Sequence, residues 1–104
     1  NRRLLDDRLG QAVFLAQRRD TRVAVMVIDL DRFKQVNDAL GHRAGDAVLR
    51  EAAHRIAGCV RKADTLARYG GDEFVVVIPD LRQDGDCQGL CPRCVEALAE
   101  PVSL

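Results

Sequence analysis

Three stretches of the chain have hydrophobic patterns that predict its framework. Residues 1–19 repeat apolar side chains at intervals of three and four, which predicts an amphipathic helix. Residues 23–28 are apolar without alternation, which predicts a strand covered on both faces. Two short apolar runs, 65–69 and 74–78, flank a pair of glycines and predict a β-hairpin, because only glycine enters positive φ without penalty. The apolar positions of the first helix are Leu5, Leu9, Ala12, Val13 and Ala16.

The segments between these stretches predict three more helices. A short one over residues 32–38 follows from the spacing of Phe33, Val36 and Leu40, with Asp31 as its N-cap. Residues 41–45 break it, and a longer helix is expected from Asp46 to about residue 61. Its predicted apolar face comprises Val48, Ala52, Ile56 and Cys59.

The hairpin is expected to end at residues 79–80, and residues 84–86 to form a loop. A last helix should run through Val95, Leu98 and Ala99 and stop before Pro101, with Pro92 in its first turn. The chain contains no repeat, low-complexity segment or linker, so we expect a single domain.

Composition narrows the classes of function. The 104 residues carry 16 basic and 16 acidic side chains, so the formal net charge is zero and no nucleic-acid partner is expected. The longest apolar run, residues 23–28, is far too short to cross a bilayer. Residue 1 is Asn and no signal peptide is visible, so we expect the chain to come from a longer protein.

The four cysteines do not form a recognisable framework. Cys59 stands alone, which argues against a set of disulfides. Cys87, Cys91 and Cys94 are spaced by four and three, as on one face of a helix. No fourth ligand is evident near them, so we interpret them as buried thiols that pack like small hydrophobic side chains, and not as a zinc site.

Acidic side chains mark the ends of two predicted strands. Asp29 and Asp31 lie on one face at the carboxyl end of the first strand, and Asp72 and Glu73 lie at the hairpin tip. If the strands are neighbours, Asp29, Asp72 and Glu73 meet, and ionised carboxylates in a cluster favour Mg²⁺, which supports phosphoryl displacement. The alternative is that Asp29 caps the next helix and that the hairpin acids are a solvated turn.

Two motifs resemble those of a known family. Residues 68–74 (RYGGDEF) resemble the signature of the GGDEF family of diguanylate cyclases, and so do residues 29–38 (DLDRFKQVND) with GH at 41–42 and GD at 45–46. The similarity runs from residue 1 to about 81 and more weakly to 104. It implies an α/β (α+β) fold like the palm of adenylate cyclases and polymerases, a ferredoxin-like sheet flanked by helices with a central hairpin. It also implies condensation of two GTP molecules into cyclic di-GMP and pyrophosphate by a homodimer.

The resemblance assigns metal ligands and a base. It implies two Mg²⁺ or Mn²⁺ ions per active site, held by Asp29, Asp72 and the carbonyl of Leu30, with Glu73 beside them. Asp72 is also the family's proposed base for the attacking 3′-hydroxyl.

The resemblance also assigns nucleotide contacts. Gly70 and Gly71 would let the backbone approach GTP, and the N–H groups at Arg32 and Phe33 would face phosphates. Lys34 would add positive charge in the transition state. Asn37 and Asp46 would bind the guanine edge, and His42 would line the pocket. For Asn37 and His42 the alternatives are an Asn turn and a helix C-cap.

A regulatory site is implied at residues 61–64. Arg61 and Asp64 match the family's RxxD motif, at which the product cyclic di-GMP binds and inhibits. The alternative is a basic cluster at a helix C-terminus, favoured there by the helix dipole.

The chain also departs from the family at its two ends. A Thr-containing motif that precedes residue 1 in the family is absent, and beyond Leu104 the family continues with a strand, a hairpin, a helix and basic phosphate contacts. We therefore expect residues 1–104 to be a partial domain. The parent is expected to carry sensory or phosphodiesterase domains, and to be cytoplasmic or anchored to the membrane by other domains. Alone, the 104-residue chain is expected to self-associate and to turn over no GTP.

Two other classes of function stay open from the sequence. One is an inactive regulatory domain that binds GTP or cyclic di-GMP, possibly fused to a phosphodiesterase. The other is a dimerising scaffold without a ligand.

Overall fold

A computed structural model describes residues 2–82 and 89–99 of the chain. Residues 84–86 and Cys87, for which a loop and a buried thiol are predicted, lie outside the described residues. The elements in chain order are α1 (Arg2–Arg19), β1 (Arg22–Asp29), α2 (Phe33–Leu40), α3 (His42–Ala57), β2 (Thr65–Arg68), β3 (Glu73–Leu81) and α4 (Leu90–Ala99). None of the described helices is long and apolar enough to cross a membrane.

The three described strands form an antiparallel sheet in the order β1-β3-β2. The hairpin pairs β2 with β3, and β1 pairs with the other side of β3, so the predicted neighbourhood of the first strand and the hairpin is confirmed. Five consecutive residues of β3, 74–78, are buried. A central strand covered on both faces accounts for this unbroken apolar run.

Helices cover the sheet from both sides. On one face α3 and α4 pack Leu49, Ile56 and Leu90 against Phe74 and Val76. On the other face α1 packs Leu5 and Ala12 against the opposite side of the hairpin. The sheet is therefore the middle layer of three, and β3 supplies side chains to both cores.

The prediction that β1 is covered on both faces is wrong. Val25 and Val27 are 49% and 60% exposed, while Met26 and Ile28 pack into the core on the α3 face. In the core on the other face, α1 packs with Val23 of β1 and with Ala67 and Val75 of the hairpin, whereas Val25 and Val27 are not part of that core. Val13, which the sequence placed in the apolar repeat of α1, is 42% exposed.

The predicted five-residue break between α2 and α3 is also wrong. Gly41 alone separates the two helices, at φ 91, a conformation that favours glycine. Its N–H donates to the carbonyl of Asn37 and so closes α2. Helix α3 therefore begins at His42 rather than Asp46, and it ends at Ala57, earlier than residue 61.

Two further boundaries differ from their predictions. Helix α2 begins after Arg32, which has φ 60, and no side chain caps it, so the prediction of Asp31 as N-cap is wrong. Strand β3 continues past residues 79–80 to Leu81, because a register shift near Arg22 lets the pairing with β1 resume. The last helix is confirmed over Leu90–Ala99, with Pro92 in its first turn, whereas its predicted stop before Pro101 lies outside the described residues.

Candidate functional site

The end of β1 and the tip of the hairpin form one edge of the sheet. Asp29, the last residue of β1, lies opposite Glu73, the first residue of β3. Directly opposed residues of an antiparallel pair point to the same face, with Cβ atoms about 5 Å apart. The N–H of Leu30 donates to the carbonyl of Asp72 at 3.0 Å and fastens the chain after β1 to the tip. The structure therefore brings Asp29, Leu30, Asp72 and Glu73 to one place.

The carboxylates at this edge remain available for a ligand. Within residues 2–82 and 89–99, no hydrogen bond or ion pair engages the carboxylates of Asp29, Asp72 or Glu73. No three His, Cys, Asp or Glu side chains of that part of the chain gather closely enough to hold a metal ion. A partial set of oxygen donors still fits Mg²⁺, which commonly takes one or two carboxylates and completes its shell with water and substrate phosphates.

The backbone of the tip is held by its own hydrogen bonds. The N–H groups of Tyr69 and Gly70 donate to the carbonyl of Glu73 at 2.8 and 3.4 Å. Two arginines complete the set: Arg68 Nε donates to the carbonyl of Gly70 at 3.1 Å, and Arg2 Nε donates to that of Tyr69 at 3.2 Å. These hydrogen bonds all go to main-chain carbonyls of the tip. The carboxylates of the tip take no part in them.

The hairpin turn does not depend on a positive φ at its two glycines. Gly70 and Gly71 do not have positive φ, so the prediction that the turn requires it of them is wrong. A four-residue connection, 69–72, reverses the chain without the left-handed residues that a two-residue turn demands. A Cβ atom at Gly71 would meet nothing within 4 Å. The glycines therefore leave open space beside the two acids.

Helix α2 begins beside the same edge with free N–H groups. No side chain caps its N-terminus, which lies three residues beyond Leu30, and both Arg32 and Lys34 are exposed. This result excludes the alternative in which Asp29 caps the helix. Phe33 packs partly into the core and anchors the first turn. An uncapped N-terminus beside exposed cations is suited to an anion such as phosphate.

The polar residues of α2 and α3 meet at a glycine. Asn37 lies in α2 and is half-buried, and its amide sits where a Cβ atom of Gly45 would be. Asp46 follows Gly45 on α3 and is exposed, as is His42 at the start of that helix. Asn37 is therefore not part of a turn and His42 is not a C-cap, and both alternatives are wrong. The Asn37 amide therefore lies against α3 at Gly45, the residue before Asp46.

A cavity of about 450 Å³ opens beneath α2. Its wall includes Asp29 and Asp31, but it is otherwise apolar and contains none of Asn37, His42 or Asp46. Its other lining residues are Ile28, Leu30, Phe33, Val36, Val48, Val95, Leu98 and Ala99. The cavity thus borders the acidic edge without joining it to the polar residues of α2 and α3.

Arg61 and Asp64 are hydrogen-bonded to each other in the loop before β2. The carboxylate of Asp64 accepts hydrogen bonds from the Arg61 N–H at 2.7 Å, from Nε at 3.2 Å and from Nη2 at 3.0 Å. Arg61 Nη2 also donates to the carbonyl of Pro79 at 2.9 Å. Because α3 ends at Ala57, Arg61 is not part of a basic helix terminus. The pair fastens this loop to the end of the hairpin.

Two of the three described cysteines, Cys59 and Cys94, lie next to each other, whereas Cys91 lies against Met26. Cys94 is buried beside Cys59, as predicted for a packing thiol, whereas Cys91 is exposed, so that prediction is wrong for Cys91. Burial is the main cause that raises the pKa of the Cys94 thiol to about 11, and the neighbouring Cys59 thiol adds to it. At neutral pH Cys94 is therefore a protonated, unreactive thiol.

Sequence reasoning missed two residues that shape the site. Arg2 lies 67 positions from Tyr69, and nothing in the sequence links them. Gly45 belongs to the GD motif at 45–46. That its missing side chain leaves room for the Asn37 amide becomes visible only when α2 and α3 are packed together.

Comparison with known proteins agrees with this geometry. The family model described as diguanylate cyclase, GGDEF domain, matches residues 1–104. The chain belongs to the GGDEF family. The prediction of the family from its motifs is confirmed, and so is its palm-like cyclase fold.

Individual relatives of this GGDEF domain support the assignment. It is 50% identical over 104 residues to the bifunctional diguanylate cyclase/cyclic di-GMP phosphodiesterase MucR of Pseudomonas aeruginosa, of which it spans 15%. The crystal structure of the GGDEF domain of TpbB from Pseudomonas aeruginosa superposes with a TM-score of 0.93 at 40% identity, covering 98% of this chain and 63% of that one. The GGDEF domain of DgcB from Caulobacter crescentus, solved with cyclic di-GMP, gives a TM-score of 0.81 at 35% identity, with coverages of 92% and 56%.

Proposed function

We propose that the protein carrying this GGDEF domain is a diguanylate cyclase, a nucleotidyltransferase that condenses two GTP molecules into cyclic di-GMP. The observation that carries the proposal is the edge at which Asp29 opposes Glu73 and Leu30 is bonded to Asp72. Carboxylates that have no partner in the described structure, beside an uncapped helix N-terminus, suit a nucleotide phosphate and its counter-ions.

Asp29, Asp72, Glu73 and the carbonyl of Leu30 would hold two Mg²⁺ or Mn²⁺ ions. When bound, the metals supply Lewis-acid stabilisation of the attacking and leaving oxygens. The residues themselves contribute the orientation of the donors, because the β1–β3 register fixes Asp29 against Glu73.

The proposed reaction joins the 3′-oxygen of one GTP to the α-phosphorus of the other. The bond from that phosphorus to the pyrophosphate oxygen breaks, and the same exchange with the two nucleotides reversed closes the ring. The carboxylate of Asp72 would take the proton of the 3′-hydroxyl. Lys34 and the N–H groups that follow Arg32 would face the phosphates, where positive charge lowers the barrier.

Guanine would be recognised between α2 and α3. The carboxylate of Asp46 accepts hydrogen bonds only, which suits the ring N–H and amino group of guanine and excludes adenine. The Asn37 amide supplies a donor and an acceptor, His42 would line the pocket, and Gly70 and Gly71 leave space for the nucleotide at the tip.

The reaction requires two copies of the site, since each site holds one GTP and the product is symmetric. We therefore propose a homodimer as the active form, in the cytoplasm or on its membrane face, controlled by sensory or phosphodiesterase domains of the same chain. Cyclic di-GMP would inhibit through Arg61 and Asp64, provided that the contacts between these two side chains open.

The test is incubation of the whole protein with GTP and Mg²⁺, with chromatographic detection of cyclic di-GMP. We expect product from GTP, none from ATP, and none after chelation of the metal. Formation of no cyclic di-GMP by a dimer that binds GTP would contradict the proposed activity.

A second candidate is a regulatory domain that binds GTP or cyclic di-GMP without turnover. The relative that favours it is the cyclic di-GMP phosphodiesterase NbdA of Pseudomonas aeruginosa, 44% identical over 82 residues, whose name gives a phosphodiesterase activity alone. In that case GTP would change the rate of a phosphodiesterase domain in the parent, and no cyclic di-GMP would form.

A further inference from the structure

The first turn of α1 reaches across to the hairpin that carries the two acids. Arg2 donates from Nε to the carbonyl of Tyr69 at 3.2 Å. Its guanidinium carbon also lies 4.5 Å from the centre of the Tyr69 ring. One side chain therefore holds Tyr69 at its backbone and at its ring, through a hydrogen bond and a cation–π contact.

Tyr69 is the residue through which this grip acts on the tip. Its N–H donates to the carbonyl of Glu73 at 2.8 Å, so the carbonyl held by Arg2 and the N–H held by Glu73 belong to the same residue. Glu73 opposes Asp29, and the Asp72 carbonyl accepts from Leu30. A continuous series of contacts thus leads from Arg2 to the acidic edge.

We propose that Arg2 is a positioning residue that fixes the hairpin tip, and with it Asp72 and Glu73, from outside the site. The consequence of this grip for catalysis rests on the proposed function. Its effect on the conformation of the tip does not rest on that function, since both contacts to Tyr69 are made within the chain. When Arg2 is removed, the tip keeps its internal hydrogen bonds but loses these two contacts to α1.

The chain offers a matched control. Arg3 has the same charge, lies next to Arg2 on α1 and is exposed, and within residues 2–82 and 89–99 it makes no hydrogen bond, ion pair or ring contact with the tip. Arg2→Lys keeps a cation near the ring but loses the forked geometry of the guanidinium, so it should retain part of the effect.

Hydrogen–deuterium exchange of the whole protein, without nucleotide, tests the grip directly. In Arg2→Ala we expect amide exchange in residues 69–74 to rise by about fivefold, whereas Arg3→Ala leaves it unchanged and Arg2→Lys lies between. Residues 75–78 of β3 serve as the internal reference, because they are buried. Equal exchange at the tip in Arg2→Ala and Arg3→Ala would overturn the proposal.

A second measurement separates positioning from general stabilisation. The Mn²⁺ concentration needed for half-maximal turnover should rise several-fold in Arg2→Ala and stay unchanged in Arg3→Ala. A lowered melting temperature without either change at the tip would make Arg2 only structural and would also overturn the proposal. If wild type makes no cyclic di-GMP, the proposed function fails, and the exchange experiment still decides the inference.

Discussion

Two charged turns flank β2, and they use similar residues in opposite ways. At residues 61–64 the carboxylate of Asp64 is 1% exposed and accepts three hydrogen bonds from Arg61. At the hairpin tip the carboxylates of Asp72 and Glu73 have no partner among the described residues, while arginines bind the main-chain carbonyls around them. The turn at residues 61–64 thus uses its charged side chains in internal contacts, whereas the carboxylates of the hairpin tip make no such contacts among the described residues.

This difference shows that a charged sequence motif does not by itself reveal whether its side chains are engaged in internal contacts. Both turns match sequence motifs, but the free-energy cost of binding a ligand differs between them. A ligand at the tip replaces water, whereas a ligand at residues 61–64 must replace hydrogen bonds to a buried carboxylate. Binding at residues 61–64 is therefore expected to be coupled to an opening of that loop.

The largest effect is expected at the tip. Asp72→Ala removes a proposed metal ligand and the proposed base, so turnover should fall by a factor on the order of a hundred or more. Because the carboxylate has no structural partner among the described residues, the melting temperature should hardly change. Steady-state kinetics with thermal denaturation checks both results, and undiminished turnover would remove Asp72 from the site.

The next effect concerns the guanine pocket. A Cβ atom at Gly45 would overlap the Asn37 amide, so Gly45→Ala should displace it and raise KM for GTP by about tenfold, on the scale of one lost polar contact. The control is Gly10→Ala in α1, where a Cβ atom meets nothing within 4 Å. An unchanged KM in Gly45→Ala would show that Asn37 does not contact the substrate.

Gly71→Ala tests whether the tip is open for a ligand. The residue has no positive φ and free space around its Cβ position, so the substitution should leave stability within about 0.5 kcal/mol of wild type. If a nucleotide approaches there, kcat/KM should fall severalfold. Wild-type kinetics would show that this space is not used by GTP.

The opposite pattern is expected at residues 61–64. Arg61→Ala leaves Asp64 buried without its cation, so the free energy of unfolding should fall by about 1–3 kcal/mol, while the initial rate stays close to wild type. Inhibition by cyclic di-GMP should weaken as well. Lys62→Ala, at an exposed neighbour, is the control. Lost stability with unchanged inhibition would leave Arg61 a structural residue only.

The smallest effect concerns a buried thiol. Burial raises the pKa of Cys94 from 9.0 to about 11, so the folded state keeps its proton where the unfolded state loses it. The stabilisation is complete below pH 9 and disappears as the pH rises to 11. Denaturant titrations across this range should show a steeper decline for wild type than for Cys94→Ala, with exposed Cys91→Ala resembling wild type. Equal slopes would contradict the shift.

Much of this arrangement could be predicted from the sequence, for identifiable reasons. The hairpin and its pairing with β1 follow from apolar runs that a buried central strand requires, and the motif residues lie where strand ends place them. The helix boundaries at Gly41 and Arg32 could not be predicted, because single left-handed residues decided them. The exposure of Val25 and Val27 depends on how far α1 extends over the sheet, which is a tertiary property.

The most direct test of the central claim is a crystal structure of the protein with Mn²⁺ and a non-hydrolysable GTP analogue. Anomalous scattering locates the metal without reference to turnover. We predict Mn²⁺ at about 2.1 Å from a carboxylate oxygen of Asp29 and from one of Asp72 or Glu73, with the phosphates at the start of α2. An analogue bound with no metal at this edge, or with its phosphates at Arg61 instead, would contradict the account.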